Sequence, residues 1–170
     1  MTQAARTSLT LAALCLVLVA AAIWGWQAAT EPLPVKADRP VCVTTAVSAG
    51  DQVYPEQVTV SVYNAGTREG LAGRTMQLLT DAGFAEGQSG NVSTGAGAKV
   101  ATVAIWTEQP QSPAVRLVAS RLGPNVSIER RSGPGAGVNV IVGDGFQRTV
   151  KGKRFIVAGE DTSICSPPVD

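Results

Sequence analysis

The run Asn64-Ala-Gly66-Thr67-Arg68-Glu-Gly70 carries the most chemical character in the chain. It follows an alternating stretch, Val58 to Tyr63, and precedes a helical pattern that begins at Leu71. A loop that enters a helix N-terminus offers unpaired backbone N–H groups and a partial positive charge, so it can hold an anion. Asn64, Gly66, Thr67, Arg68 and Gly70 are therefore candidate ligand- or partner-binding residues, with Arg68 suited to a phosphate or carboxylate. The plainer alternative is that Asn64 and the glycines only shape the turn and let the helix approach the sheet.

Three further features invite a chemical reading. Arg148, Lys151, Lys153 and Arg154 form a short basic cluster. It can meet anionic wall polymer or lipid headgroups, or simply be solvated. Asp144, in Gly143-Asp144-Gly145-Phe146, is either a ligand or ordinary punctuation after a strand. Glu108 is the one candidate acid, and no second carboxylate is placed to partner it in glycosidase chemistry.

Exclusions are broader than these signals. The chain has no histidine, which removes Ser-His-Asp and Cys-His systems and the common zinc sets. Its three cysteines, Cys15, Cys42 and Cys165, form no CxxC. Gly90 to Gly95 has the spacing of a nucleotide loop, but Ala96 stands where lysine is required. Gly133-Pro-Gly135-Ala-Gly137 has a proline and no helix after it. A net charge of +1 argues against a dedicated nucleic-acid binder. No catalytic residue, metal or cofactor is expected, and the oligomeric state is unspecified.

These residues must be positioned by a small α+β domain. Val41 to Val47, Val58 to Tyr63, Val100 to Trp106, Val126 to Arg130, Val138 to Val142 and Arg154 to Val157 read as strands from their β-branched alternation. Helical spacing starts at Leu71 and ends at Asp81-Ala-Gly83, with Gly83 as the left-handed terminator. A second helix covers Ala114 to Leu122, with Ser112-Pro113 as cap and first residue. Glu86 to Thr94 is Gly/Ser-rich and reads as an edge strand at most, and Ser132 to Gly137 as a tight turn. The core order is β-α-β-β-α-β-β, close to a ferredoxin-like mixed sheet with two helices on one face.

The N-terminus is of another kind. No charge occurs between Arg6 and Glu31. About 20 apolar residues suffice to cross a bilayer core. The expected division is a cytoplasmic N-terminus over 1–8, a transmembrane signal anchor over 9–28, a Pro-rich linker over 29–40 and an extracytoplasmic domain over 41–170. Trp24 and Trp26 suit the outer interface, and Arg6 favours an N-terminus inside. A cleaved signal peptide, cut after the alanines at 20–22, is the competing reading. Both readings export the domain. Outside the cytoplasm Cys42 and Cys165, which flank the domain, are expected to pair, with two free thiols as the alternative.

The residues also carry a family resemblance. Val-Ser-Val-Tyr-Asn64-Ala-Gly66, Gly70-Leu71-Ala72, Leu78-Leu79, Gly83-Phe84, Val103-Ala-Ile105-Trp106 and Val140-Ile-Val142-Gly143-Asp144 resemble the LytR C-terminal domain. The resemblant region is about 58–146. In that family the domain often trails a LytR–CpsA–Psr phosphotransferase domain that attaches glycopolymers to peptidoglycan. It also stands alone behind one membrane span in envelope-integrity proteins, and this chain looks like that type. The resemblance implies a membrane-anchored binding or scaffolding module for cell-wall or envelope assembly, not an enzyme. Its expected partners are the bilayer and a wall glycopolymer or an envelope phosphotransferase. The alternatives are an enzyme acting on envelope glycopolymers and a purely protein-binding subunit of a membrane complex.

Overall fold

The computed structural model describes residues 3–30, 40–92 and 100–168. The expected linker and the glycine run after Val92 lie largely outside these residues. The chain divides into two compact units, Met1–Arg39 and Pro40–Asp170.

Among the described residues the first unit comprises one helix, α1 (Gln3–Thr30). Its segment Thr10–Gln27 is long and apolar enough to cross a membrane by length and composition. Leu16, Val17, Trp24 and Trp26 are all exposed on it. In water such a surface is costly, because apolar area left in solvent forgoes about 25 cal/mol per Å².

The second unit contains β1 (Val43–Val47), β2 (Gln52–Val53), β3 (Thr59–Asn64), α2 (Leu71–Thr80) and β4 (Ala85–Asn91). These are followed by β5 (Val103–Thr107), α3 (Pro113–Leu122), β6 (Ser127–Arg130), β7 (Val138–Val142), β8 (Ile156–Val157) and β9 (Thr162–Ser166). Five strands form a mixed sheet in the order β4-β3-β7-β5-β6. The strands β3 and β4 run parallel, as do β5 and β6, and β7 is parallel to β3 but antiparallel to β5.

The α+β class, the mixed sheet and the core order agree with the sequence. The adjacency is finer than the ferredoxin-like comparison suggests. In each β-α-β unit the two strands are direct neighbours, whereas a split unit leaves room for a strand between them. The two units point in opposite directions and grow toward opposite edges. A half-turn within the sheet plane relates them, so one crossover hand puts both helices on one face.

That face holds the main core. Val60 and Val62 of β3, Val103 and Ile105 of β5, and Val138, Val140 and Val142 of β7 meet Leu71, Met76 and Leu79 of α2 and Leu117 and Val118 of α3. The helices supply these residues at spacings of three and four, as an amphipathic helix must. Asp81 closes α2, and Gly83 follows with φ 97°, the left-handed conformation its position requires. Phe84 N–H then donates to the Leu79 carbonyl at 3.1 Å, capping the turn.

The opposite face is covered differently. Tyr63, Ala104, Trp106 and Ile141 form a second cluster there. The glycine-rich stretch Ser132 to Gly137, expected as a tight turn, folds back over this face together with Arg131. Asn139 fastens it: its Oδ1 accepts the Gly135 N–H at 2.8 Å, and its Nδ2 donates to the carbonyls of Gly135 (2.9 Å) and Gly137 (3.1 Å). Ser61 Oγ donates to the Ala136 carbonyl at 2.6 Å. The Arg131 guanidinium lies 4.0 Å from the centre of the Trp106 ring, within cation–π range. Glycine is needed here because a Cβ on Gly137 would run into the Thr59 backbone.

The domain ends are tied separately. β1 pairs antiparallel with β9, and a disulfide joins Cys42 to Cys165 across Cα atoms 5.5 Å apart. β2 pairs with β8. The pairing expected of the flanking cysteines is therefore present, and Cys15 is free on α1.

Candidate functional site

The loop between β3 and α2 is built from its first residue. Asn64 closes β3 and is almost fully buried. Its Oδ1 accepts the Gly66 N–H at 2.9 Å, and its Nδ2 donates to the Arg68 carbonyl at 2.9 Å. One side chain thus ties both ends of the turn, which is what a turn asparagine does best. Gly70 is the cap residue of α2, and its carbonyl accepts the Arg74 N–H at 3.1 Å.

The free amides of this loop do meet a carboxylate, and it belongs to the chain itself. Asp144 Oδ1 accepts from Thr67 N–H at 2.8 Å and Arg68 N–H at 3.0 Å. Thr67 Oγ1 donates to Asp144 Oδ2 at 3.1 Å. Arg68 Nη1 reaches past the carboxylate to the carbonyls of Asp144 (3.1 Å) and Phe146 (2.8 Å). The Gly143–Gly145 turn is itself pinned, because Gly143 N–H donates to the Thr102 carbonyl and Gly145 N–H to that of Ala101. The Arg68 amide, with Thr67 and the Arg68 charge, holds the Asp144 carboxyl below its usual range against the opposing effect of desolvation.

Gly66 makes this closure possible. A Cβ at that position would strike the Asp144 carboxylate and stand 2.9 Å from its backbone nitrogen. The candidate residues Asn64, Gly66, Thr67, Arg68 and Gly70 therefore come together as one loop with its anion-accepting amides turned onto Asp144. Reading the residues locally missed this partner, although Asp144 itself stood out within its glycines.

The basic cluster lies elsewhere, after β7. Arg148, Lys151, Lys153 and Arg154 are all exposed. Their segment is held through its backbone to the end of α3: Val150 N–H donates to the Arg121 carbonyl at 2.8 Å, and Lys153 N–H to Ser120 Oγ at 3.0 Å.

Glu108 lines a cleft of about 210 Å³ beside Gln109, Ser112, Val115 and Ser163. Ser112 occupies the cap position of α3, but its side chain makes no capping bond. Among the described residues no three His, Cys, Asp or Glu side chains gather as a metal site would require.

A family model described as LytR cell envelope-related transcriptional attenuator matches residues 57–146. That is more than half of the chain. The chain belongs to the LytR C-terminal family. The match begins just before β3 and ends at Phe146, so it takes in the five-stranded sheet, both covering helices and the loop clamped by Asp144. The LytR C-terminal domain is a non-catalytic C-terminal domain, and membership brings with it a role related to the cell envelope. No curated protein and no solved structure was found to match the chain. The resemblance read from Asn64-Ala-Gly66, Gly83-Phe84 and Val142-Gly143-Asp144 is thus the family itself. Those residues are the ones that close the loop, end α2 and carry the clamp.

Proposed function

We propose that this protein is a membrane-anchored member of the LytR C-terminal family that serves as a binding or scaffolding module in envelope assembly. α1 is its single span, with the N-terminus inside, and the domain over 41–170 works outside the cytoplasm. The family match over 57–146 carries this reading. Two features support it: an exposed apolar helix of membrane-crossing length, and a disulfide, which persists in oxidising compartments.

As a module, the domain acts by holding a partner, either a wall glycopolymer or an envelope phosphotransferase. The loop Asn64–Gly70 is the surface at which contact is expected, because it is rigidly held and stands at the end of the sheet. A reporter fused after Asp170 tests the topology: alkaline phosphatase should be active and a cytosol-dependent fluorophore dark. The reverse pattern ends the proposal. In-cell cross-linking from a photoreactive residue replacing Glu69 tests the partner. Recovery of wall polymer or of an envelope protein supports the module, and an uncross-linked chain at that position removes the loop from it.

A further inference from the structure

We propose that the segment Arg148–Val157 lies on the anionic headgroups of the membrane, making a second, peripheral lipid contact in addition to the apolar helix. The inference rests on the anchoring reading of α1. Its first two observations are independent of that reading.

The first is charge. From Gly145 to Gly159 there is no acidic residue, while Arg148, Lys151, Lys153 and Arg154 supply four cations. Of the flanking acids, Asp144 is engaged by the Thr67 and Arg68 amides, and Glu160 lies beyond β8. Among the described residues the four cationic heads have no hydrogen bond or ion pair. The backbone of the segment is held to Ser120 and Arg121 and, at Ile156 and Val157, to β2. Arg121 adds a further half-buried cation underneath. A fixed backbone with uncommitted charges loses less entropy on meeting a charged surface than a floppy tail does.

The second is what stands between the charges. Val150 is 41% exposed, Phe155 37% and Val157 47%. Cations interleaved with exposed aliphatic and aromatic groups match the boundary of a bilayer, where the head binds phosphate and the apolar group enters the acyl margin. A wall polyphosphate would use the cations alone and leave Val150, Val157 and the open part of Phe155, whose ring also meets Tyr54, in water. That contrast favours lipid.

The third is reach. Ten residue steps separate Thr30 from Pro40, which extended span at most about 35 Å. A tether this short holds the domain at an effective concentration in the millimolar range near the bilayer. Each basic residue near an anionic surface favours contact by roughly fivefold, so four of them suffice without a dedicated pocket.

The full chain, reconstituted in lipid nanodiscs, provides the test. Amide hydrogen exchange over 147–157 is compared between phosphatidylcholine discs and discs that also contain phosphatidylglycerol. Exchange in this segment should slow by about fivefold or more in the anionic discs and recover at high salt. The slowing should vanish in a variant with Arg148, Lys151, Lys153 and Arg154 all changed to Glu. It should survive when Arg148 and Arg154 are changed to Lys. Exchange over β3 and β7 reports whether the variants remain folded. Equal exchange in both discs overturns the proposal. Slowing by added inorganic polyphosphate but not by anionic discs also overturns it, and assigns the cations to a wall polymer. Failure of the chain to co-migrate with any disc is a different result, which removes the anchor itself.

Discussion

Arg68 and Asp144 hold one another twice across 76 positions of sequence: the Arg68 amide donates to the Asp144 carboxylate at 3.0 Å, and its guanidinium donates to the Asp144 carbonyl at 3.1 Å. Together with Thr67 this locks the loop after β3 onto the turn after β7. Both strands lie side by side in the sheet and end at the same level, Asn64 opposite Val142. Parallel neighbours deliver their C-terminal loops to one edge, and the carboxylate turns that proximity into a bond.

Acid should loosen this lock. The folded carboxyl of Asp144 is held below its usual range, so its contribution to stability is complete above the unfolded value of about 3.9 and fades as pH falls through the lower folded value. Chemical denaturation of wild type and Asp144→Asn should show a constant gap at neutral pH that narrows below about pH 4. A gap of one size throughout would mean that the carboxylate charge plays no part.

Gly66→Ala should destabilise the domain by about 1–3 kcal/mol, the usual cost of forcing atoms into a filled site. Its added carbon meets both the Asp144 side chain and backbone. Combining it with Asp144→Ala should return only part of the loss, because the backbone nitrogen remains in the way. Full recovery in the double variant would place the whole conflict at the carboxylate.

Adjacent leucines in α2 should behave oppositely. Leu79 is fully buried and Leu78 is 37% exposed. Leu79→Ala should cost about 2–5 kcal/mol, while Leu78→Ala should fall within about 1 kcal/mol of wild type. Urea midpoints of the two variants are sufficient. Equal losses would contradict the assigned helix face.

Removing the disulfide should cost about 2–5 kcal/mol, since it closes a loop of 123 positions. Cys42→Ser and Cys165→Ser should therefore melt earlier than wild type, and the double variant no earlier than either. Mass spectrometry should find Cys42 and Cys165 blocked to alkylation until a reductant is added. Labelling of both without reductant would show that they do not pair in solution.

The regular elements were legible because burial imposes a period. Thr59–Asn64 and Val138–Val142 are buried along their whole length, and their β-branched runs announce it. The edge strand β4 was ambiguous because Gly87, Ser89 and Gly90 give no side-chain pattern. It is held by backbone pairing to β3 instead. β2 and β9 left little local trace, since their partners β8 and β1 lie more than a hundred positions away. The cover formed by 131–137 was hidden for a related reason. Its glycines fit against Asn139, Ser61 and Tyr63, and only the folded sheet brings those together. At the candidate loop the residues were visible, and so was Asp144, while the pairing between them across 76 positions was not.

β7 is the last strand of the sheet to be synthesised, and it is inserted between two units that share no other ladder. Everything made before Val138 can form two β-α-β fragments, each with a bare inner flank and half an apolar face. A nascent chain stopped short of Val138 therefore has two halves with no ladder between them. Assembly is withheld until that wedge arrives, and the ribbon of β1 and β9 with its cystine can then seal a body that is already whole.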